Sequence, residues 1–162
     1  MQKILCLLLL LSCALAFDFA DLYYRQRVSG NIIVVHKKQK YLKLYRDGRS
    51  CRYPVATGKN TGDKQMIGDL RTPEGVFRII SIEPSGDWAF DFGDGRGPVA
   101  GAYGPWFLRF EEKPWQGIAI HGTHDESTIG LDDTHGCIRM RNADLLELKK
   151  LITVNYPVVV LP

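Results

Sequence analysis

From Asn31 to Leu161 the chain is a succession of short apolar runs broken by turn residues, and only one stretch carries helical spacing. Alternation with a period of two puts every second side chain on one face, which is the pattern of a strand with one buried side. Asn31 to His36 and Lys40 to Arg46, rich in Ile, Val, Leu and Tyr, flank the polar Lys37-Lys38-Gln39 and predict a hairpin. Asp47-Gly48 is a second turn, leading to a strand over Cys51 to Thr57 and then to a loop from Gly58 to Lys64. Gly75 to Glu83, Trp106 to Phe110, Gly117 to His121 and Pro157 to Leu161 read as further strands.

The helical stretch begins at Asn142, which is expected to cap it. Leu145, Leu148 and Ile152 recur at three- and four-residue steps and form a packed stripe. Asp144 and Glu147 lie toward the positive end of the helix, and Lys149 and Lys150 toward its negative end. The expected fold is therefore mainly β, with one packed helix near the C-terminus. At 162 residues the chain suits one domain.

Pro84 to Pro105 interrupts this regularity with six glycines and three prolines, among which stand Trp88, Phe90, Phe92 and Tyr103. A long irregular segment in a small domain is usually a functional cover or a mobile loop. The aromatic content favours a lid or wall over a site. The alternative is a surface loop whose rings plug the edge of the core.

Residues 1–16 have the form of an export signal, expected to be a removable leader. Lys3 supplies the positive start, Ile4 to Leu11 the apolar run, and Ala14-Leu15-Ala16 a small-x-small cleavage site before Phe17. The apolar run is shorter than the roughly 20 residues of a membrane span. Leu10-Leu11-Ser12-Cys13 also loosely resembles a lipoprotein-processing site, which would leave a lipid anchor on Cys13. Either route places the protein outside the cytoplasm, in a periplasm or cell envelope. Without the leader, 20 Lys plus Arg face 18 Asp plus Glu, with no basic run longer than a pair, so nucleic acid is not an expected partner.

The mature chain keeps two cysteines, Cys51 and Cys137. In an oxidising compartment they could be bridged. Cys51 otherwise reads as a small buried residue within its strand. Cys137 has a different setting: it follows Thr134-His135-Gly136 and stands sixteen positions after His121. A thiol with a reference pKa of roughly 8.5 is a poor nucleophile until an imidazole takes its proton. Either His121 or His135 could serve. Gly136 beside the sulfur permits positive φ or close backbone approach, which is how amide N–H groups are turned toward an oxyanion. These residues point to acyl transfer.

The same residues resemble the signature of the L,D-transpeptidase catalytic domain, the YkuD-type family, in which a His, a short loop and an [S/T]HGC element form a cysteine active site. The resemblance extends over five ordered blocks: Leu42 to Lys59, Asp69 to Ile79, Ile118 to Gly130, Thr134 to Leu148 and Tyr156 to Pro162. It implies a β-sandwich of mixed sheets occupying residues 30–162, with no cofactor and no metal. It implies Cys137 as nucleophile and His121 as general base and then acid, oriented by a backbone carbonyl at Gly122 or a neighbour. Asp125, Asp132 and Asp133 are the carboxylates that could replace that carbonyl.

Thr134, His135 and Gly136 match the family's motif and are expected to shape the pocket or bond substrate. His124 stands where many relatives carry Asn, and its role is open. On a strand, Arg139 would project to the same face as Cys137. Its guanidinium fork suits a substrate carboxylate, with a surface salt bridge as the alternative.

The implied reaction is attack on a peptidoglycan stem tetrapeptide, release of D-alanine, and transfer of the acyl group from sulfur to an amine. That amine would belong to a second stem or to an envelope lipoprotein; water in its place would give an L,D-carboxypeptidase. Two other classes are compatible with the residues. His121, His124, His135 and Cys137 include usable zinc ligands, and a wall-binding module could carry a merely structural Cys137.

Overall fold

A computed structural model describes residues 30–110 and 114–162; the leader with Cys6, Cys13 and its cleavage site lies outside the described residues. The strands are β1 (Ile32–His36), β2 (Tyr41–Arg46), β3 (Arg49–Gly58), β4 (Gly75–Pro84), β5 (Ala89–Phe90), β6 (Val99–Ala100), β7 (Trp106–Phe110), β8 (Ala119–His121), β9 (Asp132–Thr134), β10 (Ile138–Met140) and β11 (Pro157–Leu161). The helix α1 spans Asn142–Leu151.

The two ten-residue strands organise the domain, because each divides its length between two ladders. The first half of β3 pairs with β2, whereas Val55 and Ala56 pair with β10, and Thr57 and Gly58 with β9. Likewise β4 pairs through Gly75–Arg78 with β11 and through Ile79–Pro84 with β7. One layer is therefore β3-β2-β1-β11-β4 and the other β4-β7-β8-β10-β3, a sandwich whose two sheets share both edge strands and close into a barrel-like ring. The sheets are mixed: β1–β11, β8–β10 and β3–β9 are parallel pairs in an otherwise antiparallel arrangement.

Period-two alternation sends Ile33, Val35, Leu42, Leu44, Val158 and Val160 inward from the first layer. They meet Leu108, Phe110, Ile120, Ile138 and Met140 of the second, with Leu145 and Leu148 of α1 packed in the same cluster. Each such side chain, taken wholly out of water, contributes about 1.5–3 kcal/mol. The Asp47-Gly48 turn joins β2 to β3 with φ of 49° and 76°, the double positive φ that a two-residue hairpin of matching twist requires.

Two local expectations are corrected. Asn142 is the first helical residue and not the cap; the cap position falls on Arg141, which makes no side-chain capping bond. Glu126, from a single 3-10 turn at Glu126–Thr128, accepts the Asn142 N–H at 3.0 Å instead. Cys51 is exposed rather than buried, and it is not bridged to Cys137.

Candidate active site

The parallel pairing of β8 with β10 brings together the two ends of the sequence signature. Ile120 lies opposite Ile138 and His121 opposite Arg139. Ile120 and Ile138 face the core, so alternation turns His121 and Arg139 to the other side, with Cys137 just ahead of β10 in the same phase. That side is a cleft of about 370 Å³, whose lining includes His121, His135, Cys137, Phe90, Phe92 and Tyr103.

His121 is buried, with Phe107 stacked on its ring at 5.6 Å and Tyr103 edge-on at 5.1 Å. Its Nδ1 is 2.6 Å from the Gly122 carbonyl oxygen. A carbonyl can only accept, so Nδ1 carries the proton and Nε2 keeps the lone pair. Burial pushes the pKa down to about 4, with the Gly122 carbonyl opposing this and the Arg139 charge reinforcing it. At neutral pH the ring is an uncharged base. Asp125, Asp132 and Asp133 are engaged elsewhere: with Ser127, with Lys40 and with Arg139 respectively.

Cys137 is partly exposed, and its Sγ donates to the Gly117 carbonyl at 3.4 Å. Thr134 builds the turn before it: Oγ1 donates to the Cys137 carbonyl at 2.6 Å and accepts the Gly136 N–H at 3.1 Å. The Gly136 N–H is thereby held inside the turn and does not itself face an oxyanion. Glycine is needed at 136 on two counts: φ is +126°, and a Cβ would meet the Arg71 carbonyl oxygen at 2.8 Å. His135 is exposed at the cleft, flanked edge-on by Phe90 and Phe92. Burial, then the charges of Lys59 and Arg139, lower its pKa, while Asp133 opposes them.

Arg139 shares the face of Cys137 but is not a surface residue. It is buried, and Nη1 donates to Asp133 and to Thr128 Oγ1, each at 2.7 Å. The salt bridge given as the alternative for Arg139 is present, but enclosed and not at the surface. His124 is exposed outside the cleft, beside Phe92. Among the described residues, no group of three or more His, Cys, Asp or Glu side chains is placed to hold a metal.

The irregular segment forms one wall of the cleft. Ala89–Phe90 and Val99–Ala100 pair as a short ladder that the sequence reading missed, and Phe90, Phe92 and Tyr103 face the site from it. Tyr103 has its pKa raised by burial and then by the charge of Cys137, with Arg109 opposing. Opposite, Ile67, Gly68 and Leu70 border the cleft on a loop organised by Asp69. Asp69 accepts from Lys64 Nζ at 2.8 Å and from the N–H groups of Gln65, Met66 and Arg71. Burial alone would raise its pKa; these four donors outweigh it and hold the carboxyl well below its usual range.

Asn142 was also missed as a site residue. Its Oδ1 accepts the Thr123 N–H and its Nδ2 donates to the Thr123 carbonyl, both at 2.9 Å. Gly122 and Gly104 crowd the same Oδ1, and a Cβ on either would collide with it. The local pattern, an Asn ahead of a helical stripe, pointed to a cap and gave no sign of a partner nineteen residues earlier.

Fold and cleft together define a β-sandwich domain with a cysteine and a histidine in one pocket. The chain belongs to the YkuD family, the L,D-transpeptidase catalytic domain, whose pattern matches residues 30–160. The L,D-transpeptidase homologue YkuD of Bacillus licheniformis is 31% identical over 121 residues, covering 74% of this chain and 59% of that protein. YqjB of Bacillus subtilis, of the same kind, is 28% identical over 131 residues, covering 79% and 69%. This chain thus spans about three-fifths of the YkuD protein's length.

Solved structures share the fold. An L,D-transpeptidase from Mycobacterium smegmatis matches with a TM-score of 0.63 at 18% identity, covering 82% of this chain and 59% of that one. L,D-transpeptidase 3 from Mycobacterium tuberculosis, in complex with a faropenem-derived adduct, matches with a TM-score of 0.65 at 17% identity, covering 82% and 60%.

Proposed function

We propose that this chain is an exported cysteine L,D-transpeptidase acting on peptidoglycan stem tetrapeptides in the periplasm or cell envelope. The observation that carries the reading is that Cys137 and a buried, neutral His121 line one cleft, where the Gly122 carbonyl holds Nδ1 and leaves Nε2 as the base. Membership of the family supports the reaction class, and the leader-like residues 1–16 support export.

The steps follow from a neutral base. Sγ lies 3.4 Å from the Gly117 carbonyl oxygen, and His121 is the group that takes the thiol proton. Nε2 of His121 takes the proton as Sγ bonds to the carbonyl carbon between the third stem residue and D-alanine. The C–N bond then breaks, the imidazolium returns the proton to the departing D-alanine amine, and a thioester remains on Cys137. An acceptor amine attacks the thioester, gives its proton to His121, and the thiol is restored. The acceptor is the amine of a second stem or of an envelope lipoprotein.

The test is to incubate the purified protein with tetrapeptide muropeptides and to follow enzyme and products by intact mass. Cross-linked dimers and free D-alanine are expected, and both disappear in Cys137→Ala. Tripeptides without dimers would reassign the acceptor to water. Unchanged muropeptides would overturn the reading in favour of a binding module.

A further inference from the structure

The carbonyl that orients His121 belongs to a peptide unit held from its other end. The Gly122 C=O and the Thr123 N–H lie on opposite sides of one planar amide. The C=O accepts from His121 Nδ1 at 2.6 Å, and the N–H donates to Asn142 Oδ1 at 2.9 Å. The Asn142 amide continues the series, because Nδ2 donates to the Thr123 carbonyl, also at 2.9 Å. Two amide groups are therefore arranged head to tail behind the imidazole, each polarised in the direction that strengthens the next bond.

We infer that Asn142 is a positioning residue for His121, acting through the Gly122–Thr123 peptide to hold Nδ1 protonated and Nε2 free for sulfur. This rests on the reading of Cys137 and His121 as the reacting pair.

Three observations support the assignment. First, Asn142 engages both the N–H and the C=O of Thr123, which ties down the peptide units on both sides of its Cα, the Gly122–Thr123 unit among them. Second, Asn142 is itself fixed: it is the first residue of α1, and its own N–H is held by Glu126 Oε1 at 3.0 Å. Third, the two glycines beside the Asn142 amide leave no space for side chains of their own. Gly104 has φ of +63° and a Cβ there would meet Gly122 Cα at 2.6 Å, and Gly122 is hemmed by Gly104 and by Pro105 at 3.0 Å. Gly104 follows Tyr103, which lies edge-on to His121, so the same amide sits at the base of both the histidine and the aromatic wall. A local cap would account for none of these contacts.

The test uses the full chain labelled with ¹⁵N-histidine. Long-range ¹H–¹⁵N spectra, with His121 assigned by its loss in His121→Gln, report the tautomer independently of any activity on muropeptides. The native protein is expected to show the Nδ1–H form alone. Asn142→Ala is expected to show a mixture of both neutral forms and a loss of Cys137 alkylation rate on the order of 10²-fold, the scale of a catalytic group displaced by about an ångström. Asn142→Asp retains an acceptor for Thr123 N–H and is expected to restore the Nδ1–H form.

A native tautomer and a native alkylation pH profile in folded Asn142→Ala would overturn the inference. If that variant fails to fold, Asn142→Asp decides: the Nδ1–H form supports the role, and a mixture overturns it. Failure of the muropeptide assay alone would count against the proposed reaction and leave the positioning role standing.

Discussion

Arg139 and Asp133 form an ion pair of 2.7 Å in which the guanidinium side chain is only 7% exposed and the carboxylate 37%. Asp133→Ala would leave a nearly enclosed cation with one hydroxyl partner, Thr128, and a guanidinium Nε that already lacks an acceptor. A loss of about 1–3 kcal/mol is expected, the cost of stranding a buried hydrogen-bonding group. Denaturant unfolding measures it. A variant as stable as the parent would show that Arg139 relaxes to solvent, in conflict with its enclosure.

The buried His121 sets a pH dependence of stability. Its folded pKa is depressed to about 4, below the value of 6.5 for the ordinary group, so between these values the unfolded chain binds more protons than the folded one. Stability is therefore fully present above about pH 6.5 and declines as pH falls toward 4, by up to roughly 3 kcal/mol. Comparing unfolding free energies at pH 7 and 4.5 for the parent and His121→Gln tests this. Equal slopes would refute the assignment. Asp69, also depressed, acts in a separate window: its contribution is present above the ordinary carboxylate value of 3.8 and is lost only below it.

The Asp69 turn presents Ile67, 80% exposed, at one edge of the cleft. Its carboxylate and the Lys64 ammonium are both buried, with Nζ to Oδ1 at 2.8 Å. Asp69→Ala would leave the buried Lys64 ammonium without its carboxylate, so a loss of about 1–3 kcal/mol is expected. Limited proteolysis should then cut between residues 59 and 74. Resistance equal to the parent's would show that the turn holds without its carboxylate.

Gly122→Ala places a Cβ against Asn142 Oδ1, with Gly104 Cα and the Pro105 ring on its other sides. It is expected to reduce both stability and activity. Combined with Asn142→Ala, which removes the colliding oxygen, the loss should fall short of the sum of the single changes by about 0.5–3 kcal/mol. A strictly additive double variant would mean that the two groups do not share the space.

What the sequence revealed, and what it hid, follows from the range of each interaction. The long alternating strands were legible because each writes its own period. The three-residue β9 and β10 are too short to do so, and their pairing with β3 and β8 is set by distant chain. Cys51 shares the parity of the buried Tyr53 and Val55, but it lies two residues nearer the hairpin tip and is exposed. Alternation gives the face and not the depth. His121 and Cys137 were legible through the motif, and the face of Arg139 through its spacing. Its burial against Asp133 was not, because two residues six positions apart carry no sequence mark of meeting across a turn.

The placement of His121 against Cys137 is governed by the ladder between β8 and β10, and the sixteen residues connecting those strands add the Thr134 turn that seats the sulfur. The excursion through Gly130 and Leu131 is itself stitched to β3, by the Gly130 N–H on the Val55 carbonyl and the Thr57 N–H on the Leu131 carbonyl. Length in that stretch is consequently dictated by the sheet it borders and not by the reacting atoms.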